Sequence, residues 1–519
     1  MQDLSWWKHA VVYQVYPRSF QDTNGDGIGD LNGLRARLDY LVTLGIDAVW
    51  ISPIYPSPMA DFGYDVSDYC GIDPIFGTMA DFDQLLADVH RRGLRMILDF
   101  VPNHTSDQHP WFLQSRSSRD NPKRDWYIWR DQPNNWQSHF GGSAWEFDKI
   151  TGQYYLHEFL KEQPDLNWRN PAVKAAMFDA LRFWLRKGVD GFRVDVMWLM
   201  IKDDQFRDNP PNPAYTVGQG SRAQVLPIYD ADRPEIHALV GEMRSVMEEF
   251  GDRVLIGEIY LPIPRLMQYY GPGLRGANLP FNFQLLQCAW TADELARTIT
   301  GYMSALPAGA WPNWVLGNHD KSRIASRIGL PKARAAALLL LSLPGTLTIY
   351  NGEELGMQDV PIRPDEAQDP AEKRQPGIGM GRDPERTPVP WDNSSQCGFT
   401  TGYPWLPIGE SNRAVNVESS QKDPLSMLVL YHRLLALRRA EPVLVSGQLT
   451  DMHSTDGVLQ FLRTDSSKRF KVLVNLSQEP RRIAIASGLI VAATELHRER
   501  ESVRDAVQLD PAEAVIIDH

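Results

Sequence analysis

Short apolar runs rich in β-branched residues recur along this chain, separated by longer amphipathic stretches, and few folds accommodate that alternation. Buried parallel strands read as near-continuous apolar runs, and each needs a crossover helix before the next. Runs at 11–16, 46–51, 95–101, 189–196 and 254–259, with shorter ones at 278–283, 313–316 and 346–350, give eight strands. Helical patterns fall between them at 34–44, 79–92, 173–187, 235–250, 293–305 and 333–343. Eight βα units predict a (β/α)8 barrel. The alternative, a doubly wound open sheet, lacks support because no Gly-rich phosphate fingerprint follows the first strand.

Two regions break the alternation. Residues 104–170 are rich in Trp, Asn, Ser and Gly and are too long for an ordinary βα loop, so a small domain inserted after the third strand is expected there. From 441 the pattern becomes short strands, at 443–446, 458–463, 471–475, 481–485 and 514–517, which predicts an all-β sandwich. The expected organisation is therefore barrel (1–103), insert (104–170), barrel (171–440) and β-sandwich (441–519).

A net charge of −12 without a basic block argues against nucleic acid and anionic membrane surfaces as partners. No apolar run is long enough to span a bilayer, and Met1 to Trp7 lacks the pattern of a secretion signal, so a cytoplasmic location is expected. Cys70, Cys288 and Cys397 are too few and too scattered for a disulfide framework.

In such a barrel, chemistry sits at the C-terminal ends of the strands. The fourth run reads Gly191-Phe192-Arg193-Val194-Asp195, and residues two apart share a face. Arg193 can therefore hold Asp195 ionised, as a nucleophile requires. The fifth run ends in Glu258, which its apolar approach should desolvate and raise in pKa, suiting a general acid. The seventh leads into Asn318-His319-Asp320. Each carboxylate alone is as easily a cap or a salt bridge; together they match the nucleophile and acid/base pair of retaining glycoside hydrolysis. Glu353-Glu354 reads either as pocket lining or as a solvated helix start. Asp22, Asn24 and Asp26 alternate as in the first half of a calcium loop, yet position twelve is Gly33, so an Asx-rich turn without metal is the alternative.

These segments, with the opening Val12-Tyr13-Gln14-Val15-Tyr16-Pro17, resemble the signature regions of the α-amylase superfamily of glycoside hydrolases. Gln163-Pro164-Asp165-Leu166-Asn167 is similar to the signature of its oligo-1,6-glucosidase and α-glucosidase branch. The resemblance implies Asp195 as nucleophile, Glu258 as acid/base and Asp320 as transition-state stabiliser. It further implies a glucose subsite of Asp61, Tyr64, His104, Phe140, Phe159, Arg193 and His319, closed by Arg382 against Asp61, with Arg386 as the rival for that pairing. Val196, after the nucleophile, is associated in that branch with α-1,6 cleavage, although Met197-Trp198-Leu199 departs from its usual sequence. A calcium or magnesium site of Asp22, Asn24, Asp26, the Ile28 carbonyl and Asp30 is implied, and no organic cofactor. The expected substrates are short α-glucosides attacked at their terminal glucose. A glucosyltransferase or sucrose isomerase using the same site is one rival. A non-catalytic relative, like the barrel-bearing heavy subunits of amino-acid transporters, is another. Sequence leaves the oligomeric state open.

Overall fold

The computed structural model describes residues 5–519. Its central sheet begins with β1 (Val11–Val15), β2 (Ala48–Ile51) and β3 (Arg95–Phe100). Three short strands follow outside that sheet, β4 (Trp129–Arg130), β5 (Trp145–Asp148) and β6 (Gln153–Leu156). The sheet resumes with β7 (Gly191–Val194), β8 (Val254–Gly257), β9 (Leu279–Pro280), β10 (Asn313–Val315) and β11 (Thr346–Tyr350). Spatial order follows sequence order and β11 returns to pair with β1, giving the expected barrel. At the remaining seam, between β9 and β10, a side chain bridges the strands. Asn313 donates to the Pro280 carbonyl at 2.7 Å and accepts from the Asn282 amide at 2.9 Å. Pro280 has no N–H for a ladder, which shortens the strand expected at 278–283 to two residues.

Alternation along the strands separates the inside of the barrel from its helix-facing surface. Val11, Tyr13, Val15, Val49, Ile51, Met96 and Leu98 belong to the large core shared with the helices. Val12, Ala48, Trp50, Ile97, Val254, Ile256 and Val315 form a separate cluster. Continuing that second phase toward the C-terminal strand ends gives Gln14, Asp99, Arg193, Asp195 and Glu258, so the interior is apolar below and ionic above.

Helix boundaries follow local chemistry. Met79–Arg91 starts with a capping box between Thr78 and Asp81. Pro171–Lys187 is capped by Asn170 and ends at Gly188, whose φ of 107° suits glycine. The helix expected at 34–44 is instead two, Leu31–Ala36 and Leu38–Leu44, broken at Arg37.

β4, β6 and β5 form a three-stranded antiparallel sheet within the long excursion after β3. The tail contains β12 (Gln448–Thr455), β13 (Val458–Thr464), β14 (Arg469–Asn475), β15 (Arg481–Ala493), β16 (Ser502–Leu509) and β17 (Ala514–Asp518) in one antiparallel sheet. The expected sandwich is thus a single six-stranded sheet, with register shifts where β15 pairs with both of its neighbours. Ile485, Val503, Val507 and Leu509 then cluster with Val458, Leu473 and Val515. β12 and β16 are its edges; β12 is largely polar, and β16 buries only Val503, Val507 and Leu509 among exposed polar residues, so neither shows as an apolar run. The strand expected at 443–446 is a helix, Pro442–Ser446. Proline starts it, and its carbonyls meet guanidinium groups: Arg438 takes Leu444 at 2.9 Å, while Arg463 takes Val443 at 2.8 Å and Leu444 at 2.7 Å. No helix among the described residues is long and apolar enough to cross a membrane.

Candidate active site

Above the C-terminal strand ends lies a cavity of about 850 Å³, a size suited to a small ligand. Asp61, Tyr64, His104, Phe140, Phe159, Asp195, Val196, Glu258, His319, Asp320 and Arg382 all line it. Arg193 does not. It lies beneath the carboxylates at 1% exposure, so it acts as their support rather than as a pocket wall.

That support has three carboxylate partners. Asp99 is the β-ladder neighbour of Arg193 and contacts it at 2.8 and 3.0 Å. The same guanidinium nitrogen meets Asp195 at 2.8 Å, and the other terminal nitrogen meets Glu258 at 2.6 Å. The backbone completes the arrangement: Asp195 N–H bonds the Phe100 carbonyl at 2.8 Å and Glu258 N–H the Val194 carbonyl at 3.0 Å, extending the ladder past the strands. Val196 follows at a φ of 35°, unusual for a β-branched residue. Its N–H donates to Glu258 Oε2 at 2.9 Å. A strained backbone of this kind costs on the order of 1–3 kcal/mol, and here it ties the two carboxylate-bearing strand ends together.

The expectation that Arg193 simply keeps Asp195 ionised needs correction. Burial pushes Asp195 well above the usual carboxylate range, and Glu258, Asp99 and Asp320 add to it against the opposing pull of Arg193. Asp99 is likewise pushed up to about 7, by burial first. One guanidinium serves three desolvated carboxylates, so the cluster retains a proton near neutrality.

The other side of the cavity is ordered by neutral donors. Gln14 Nε2 donates to His319 Nδ1 at 2.7 Å, leaving the His319 Nε2–H toward the Tyr64 hydroxyl at 2.7 Å. Tyr64 donates to Asp99 Oδ2 at 3.1 Å, and the Trp50 indole N–H lies 3.3 Å from the same oxygen. Burial holds His319 well below its usual pKa and His104 down at about 4, so both rings are uncharged. For Asp320, burial works upward, but the Arg386 and Arg382 guanidinium groups, 2.7 and 3.3 Å away, hold the carboxyl below the usual range.

Arg382 makes the expected pair, 2.6 Å from Asp61, while Arg386 binds Asp320 at 2.7 Å and the His319 carbonyl at 2.7 Å. Arg382 lies 4.9 Å over the Phe140 ring, and Phe159 stands edge-on to Phe140 at 5.7 Å. The buried Asp369 fixes Arg382 from behind, at 2.9 Å to Nε. Gln163, from the segment resembling the α-glucosidase signature, lines the cavity and donates to Asp61 at 3.2 Å. Sequence reasoning missed Asp99, Gln14 and Trp50, although each lies in the same alternating phase as a residue it singled out or supports. Asp369 carries no such signal, because it reads as the cap of the short helix Pro370–Arg374, which it also is. Glu353 and Glu354 neither line the cavity nor face solvent. Both are buried, against the Tyr431 hydroxyl at 2.7 Å and the Tyr13 and Tyr40 hydroxyls at 2.8 and 2.6 Å.

The oxygen-rich loop after β1 is organised by its own donors. Asp22 accepts from the amides of Asn24, Gly25 and Gly27, each at 2.9 Å. Asp26 accepts from the Ile28 amide at 2.8 Å, and Asp30 from Thr23 and Gly33, each at 2.7 Å. Gly27 has a φ of 87°, and a Cβ there would come within 1.9 Å of the Tyr403 carbonyl. Among the described residues no cluster of three His, Cys, Asp or Glu side chains is poised around a metal position. The carboxylates of this loop are therefore engaged by its own amides, with lone pairs to spare.

Comparison with known proteins agrees with this geometry. Residues 14–447 match the alpha amylase catalytic domain. The chain is 39% identical to an oligo-1,6-glucosidase of Parageobacillus thermoglucosidasius, covering 97% of this chain and 96% of that one. It is 43% identical to a probable alpha-glucosidase of Rhizobium meliloti (strain 1021), over 92% and 90% of the two chains. The crystal structure of the alpha-glucosyl transfer enzyme XgtA superposes with a TM-score of 0.94 at 38% identity, covering 99% of this chain and 100% of that one. With its barrel, its strand-end carboxylates and relatives matched over nearly full length, the chain belongs to the alpha-amylase family of glycoside hydrolases.

Proposed function

We propose that this protein is a retaining, exo-acting α-glucosidase that removes the terminal glucose of short α-glucosides such as maltose, isomaltose or sucrose. The observation that carries the reading is the single guanidinium of Arg193 gripping Asp195 and Glu258 on its two terminal nitrogens, beside a pocket blocked at one end by the Asp61–Arg382 pair. Sharing one guanidinium favours the close spacing of a double-displacement pair, about 5–5.5 Å, over the roughly 6.5–9.5 Å of an inverting pair.

In the first step an oxygen of Asp195 attacks the anomeric carbon as its bond to the leaving oxygen breaks and Glu258 gives that oxygen a proton. The product is a β-glucosyl ester on Asp195. Positive charge building on the sugar favours the ionised form of Asp195. Asp320, held as an anion, and the neutral His104, His319 and Tyr64 grip hydroxyls of the glucose. In the second step Glu258 takes a proton from water, which attacks the anomeric carbon, releases Asp195 and gives α-glucose. Val196, Trp198, Tyr260 and Leu286 line the cavity as well. Apolar and aromatic surface beyond Glu258 favours retention of a sugar acceptor, so transglucosylation competes with hydrolysis at high sugar concentration. Three free cysteines suit a reducing compartment such as the cytoplasm. We further propose that Asp22, Asn24, Asp26, the Ile28 carbonyl and Asp30 take calcium, which would brace the loop against residues 400–404 and takes no part in the chemistry.

Three outcomes are expected. Asp195→Ala and Glu258→Ala each lower kcat by at least about 10³-fold. Azide then yields β-glucosyl azide with the former and α-glucosyl azide with the latter; equal residual activity without azide adducts contradicts the assignment. Asp99→Asn removes a negative charge that raises the pKa of Asp195, so ionisation becomes easier and the acid limb of kcat/KM moves to lower pH. A limb that stays in place or rises counts against the shared-proton account. Calcium at millimolar concentration raises the Tm of chelator-treated protein by several degrees, as mass action on a native-state site requires; a Tm indifferent to calcium and chelator removes the metal proposal.

A further inference from the structure

The segment after the Asp195 strand end, residues 202–230, has little regular structure. It holds one 3-10 turn, Ser221–Gln224, and two isolated bridges, Pro211 with Val225 and Val217 with Gln219, and its Val217 is 99% exposed. A segment with so few backbone partners keeps one conformation only where side chains pin it. Arg222 is such a pin. Its guanidinium donates to the Gln137 carbonyl at 2.6 Å and to Glu158 at 3.2 Å, and pairs with Asp230 at 3.1 Å. Glu158 and Asp230 are fully buried, so these contacts meet little competition from water.

The neighbouring residue joins two further loops. Ser221 Oγ accepts from the Gly142 amide at 2.9 Å, and the Ser221 amide donates to Gln375 Oε1 at 3.1 Å. Gln375 in turn lies against Gly141, where an added Cβ would come within 2.4 Å of its side chain. Arg374 donates to the Gly141 carbonyl at 2.9 Å. One of the joined loops carries Phe140 and the other carries Arg382, the two groups that stack at the blocked end of the pocket.

We infer that Arg222 is a positioning residue for substrate length: through Ser221 it clasps the loops bearing Phe140 and Arg382, and so keeps the pocket closed beyond a single terminal glucose. The inference rests on the glucosidase reading above and adds to it a residue outside the pocket. Without Arg222 the buried Glu158 has an alternative to unfolding, since burial already pushes it up to about 8 and it can take a proton.

Three variants test this. Ser221→Ala removes the Oγ contact to Gly142 and so frees the Phe140 loop, while keeping the main-chain bond to Gln375 and the ion pairs; Arg222→Met removes the pin, and Arg222→Lys keeps the charge without the fork and restores little. Each of the first two should raise KM for maltose or isomaltose about five- to tenfold, the scale of one or two lost hydrogen bonds, with kcat within about twofold. The kcat/KM of maltotetraose relative to maltose should rise, and the Tm of Ser221→Ala should match the parent. Hydrogen exchange of the amides at 138–142 and 371–382 should accelerate in both. Unchanged exchange overturns the clasp whatever the activity, and accelerated exchange with unchanged KM and chain-length preference overturns the role in specificity. A parent that turns over no α-glucoside sinks the glucosidase reading, while the exchange result still decides the clasp.

Discussion

The arrangement of the site depends on one buried cation. Arg193 lies at the top of the barrel interior with Asp99, Asp195 and Glu258 around it, contributed by three adjacent strands. Each carboxylate would be costly to bury alone, and three together repel one another. Truncating one partner of a buried pair typically costs about 3–5 kcal/mol because the remaining charge is stranded. The guanidinium fork sets the separation of Asp195 and Glu258, and parallel-strand register brings Asp99 to the fork. Fold and chemistry therefore share a single geometric constraint.

From that centre the polar order spreads outward through side chains that carry no charge at neutrality. His319 is fixed by Gln14, Tyr64 by His319, and Asp99 by Tyr64 and Trp50. A second ionic layer stands across the cavity, where Arg386 holds Asp320 and Arg382 bridges Asp61 and Asp369. The centre sets three carboxylates against one guanidinium, whereas the far layer sets three against two, with both guanidinium groups on Asp320. A reaction that needs an ionised nucleophile, a proton donor and a permanent anion finds each in an environment suited to it.

Much of this was legible in the sequence, for a physical reason. Parallel strands buried on both faces must be apolar, so the barrel strands announce themselves, and two-residue alternation identifies Arg193, Asp195 and Glu258 as facing one space. The edge strands β12 and β16 are half-exposed and rich in polar residues, and they leave no such mark. Helix Pro442–Ser446 has a strand-like composition, and guanidinium groups from distant residues satisfy its carbonyls. Arg193 as a wall of the pocket was a misreading, because facing the interior is not the same as reaching the cavity. Glu353 and Glu354 escaped because their tyrosine partners come from three separate helical or strand segments. Burial that outweighs an ion pair, as at Asp195, is a property of the assembled site.

The central claim is that Asp195 and Glu258 work as a double-displacement pair. The most direct measurement is a proton NMR time course of maltose or isomaltose hydrolysis, recording which glucose anomer appears before mutarotation. The account predicts α-glucose first, relaxing later toward the equilibrium mixture. β-Glucose first would mean direct attack by water from the opposite face and would contradict the assignment of Asp195 as nucleophile.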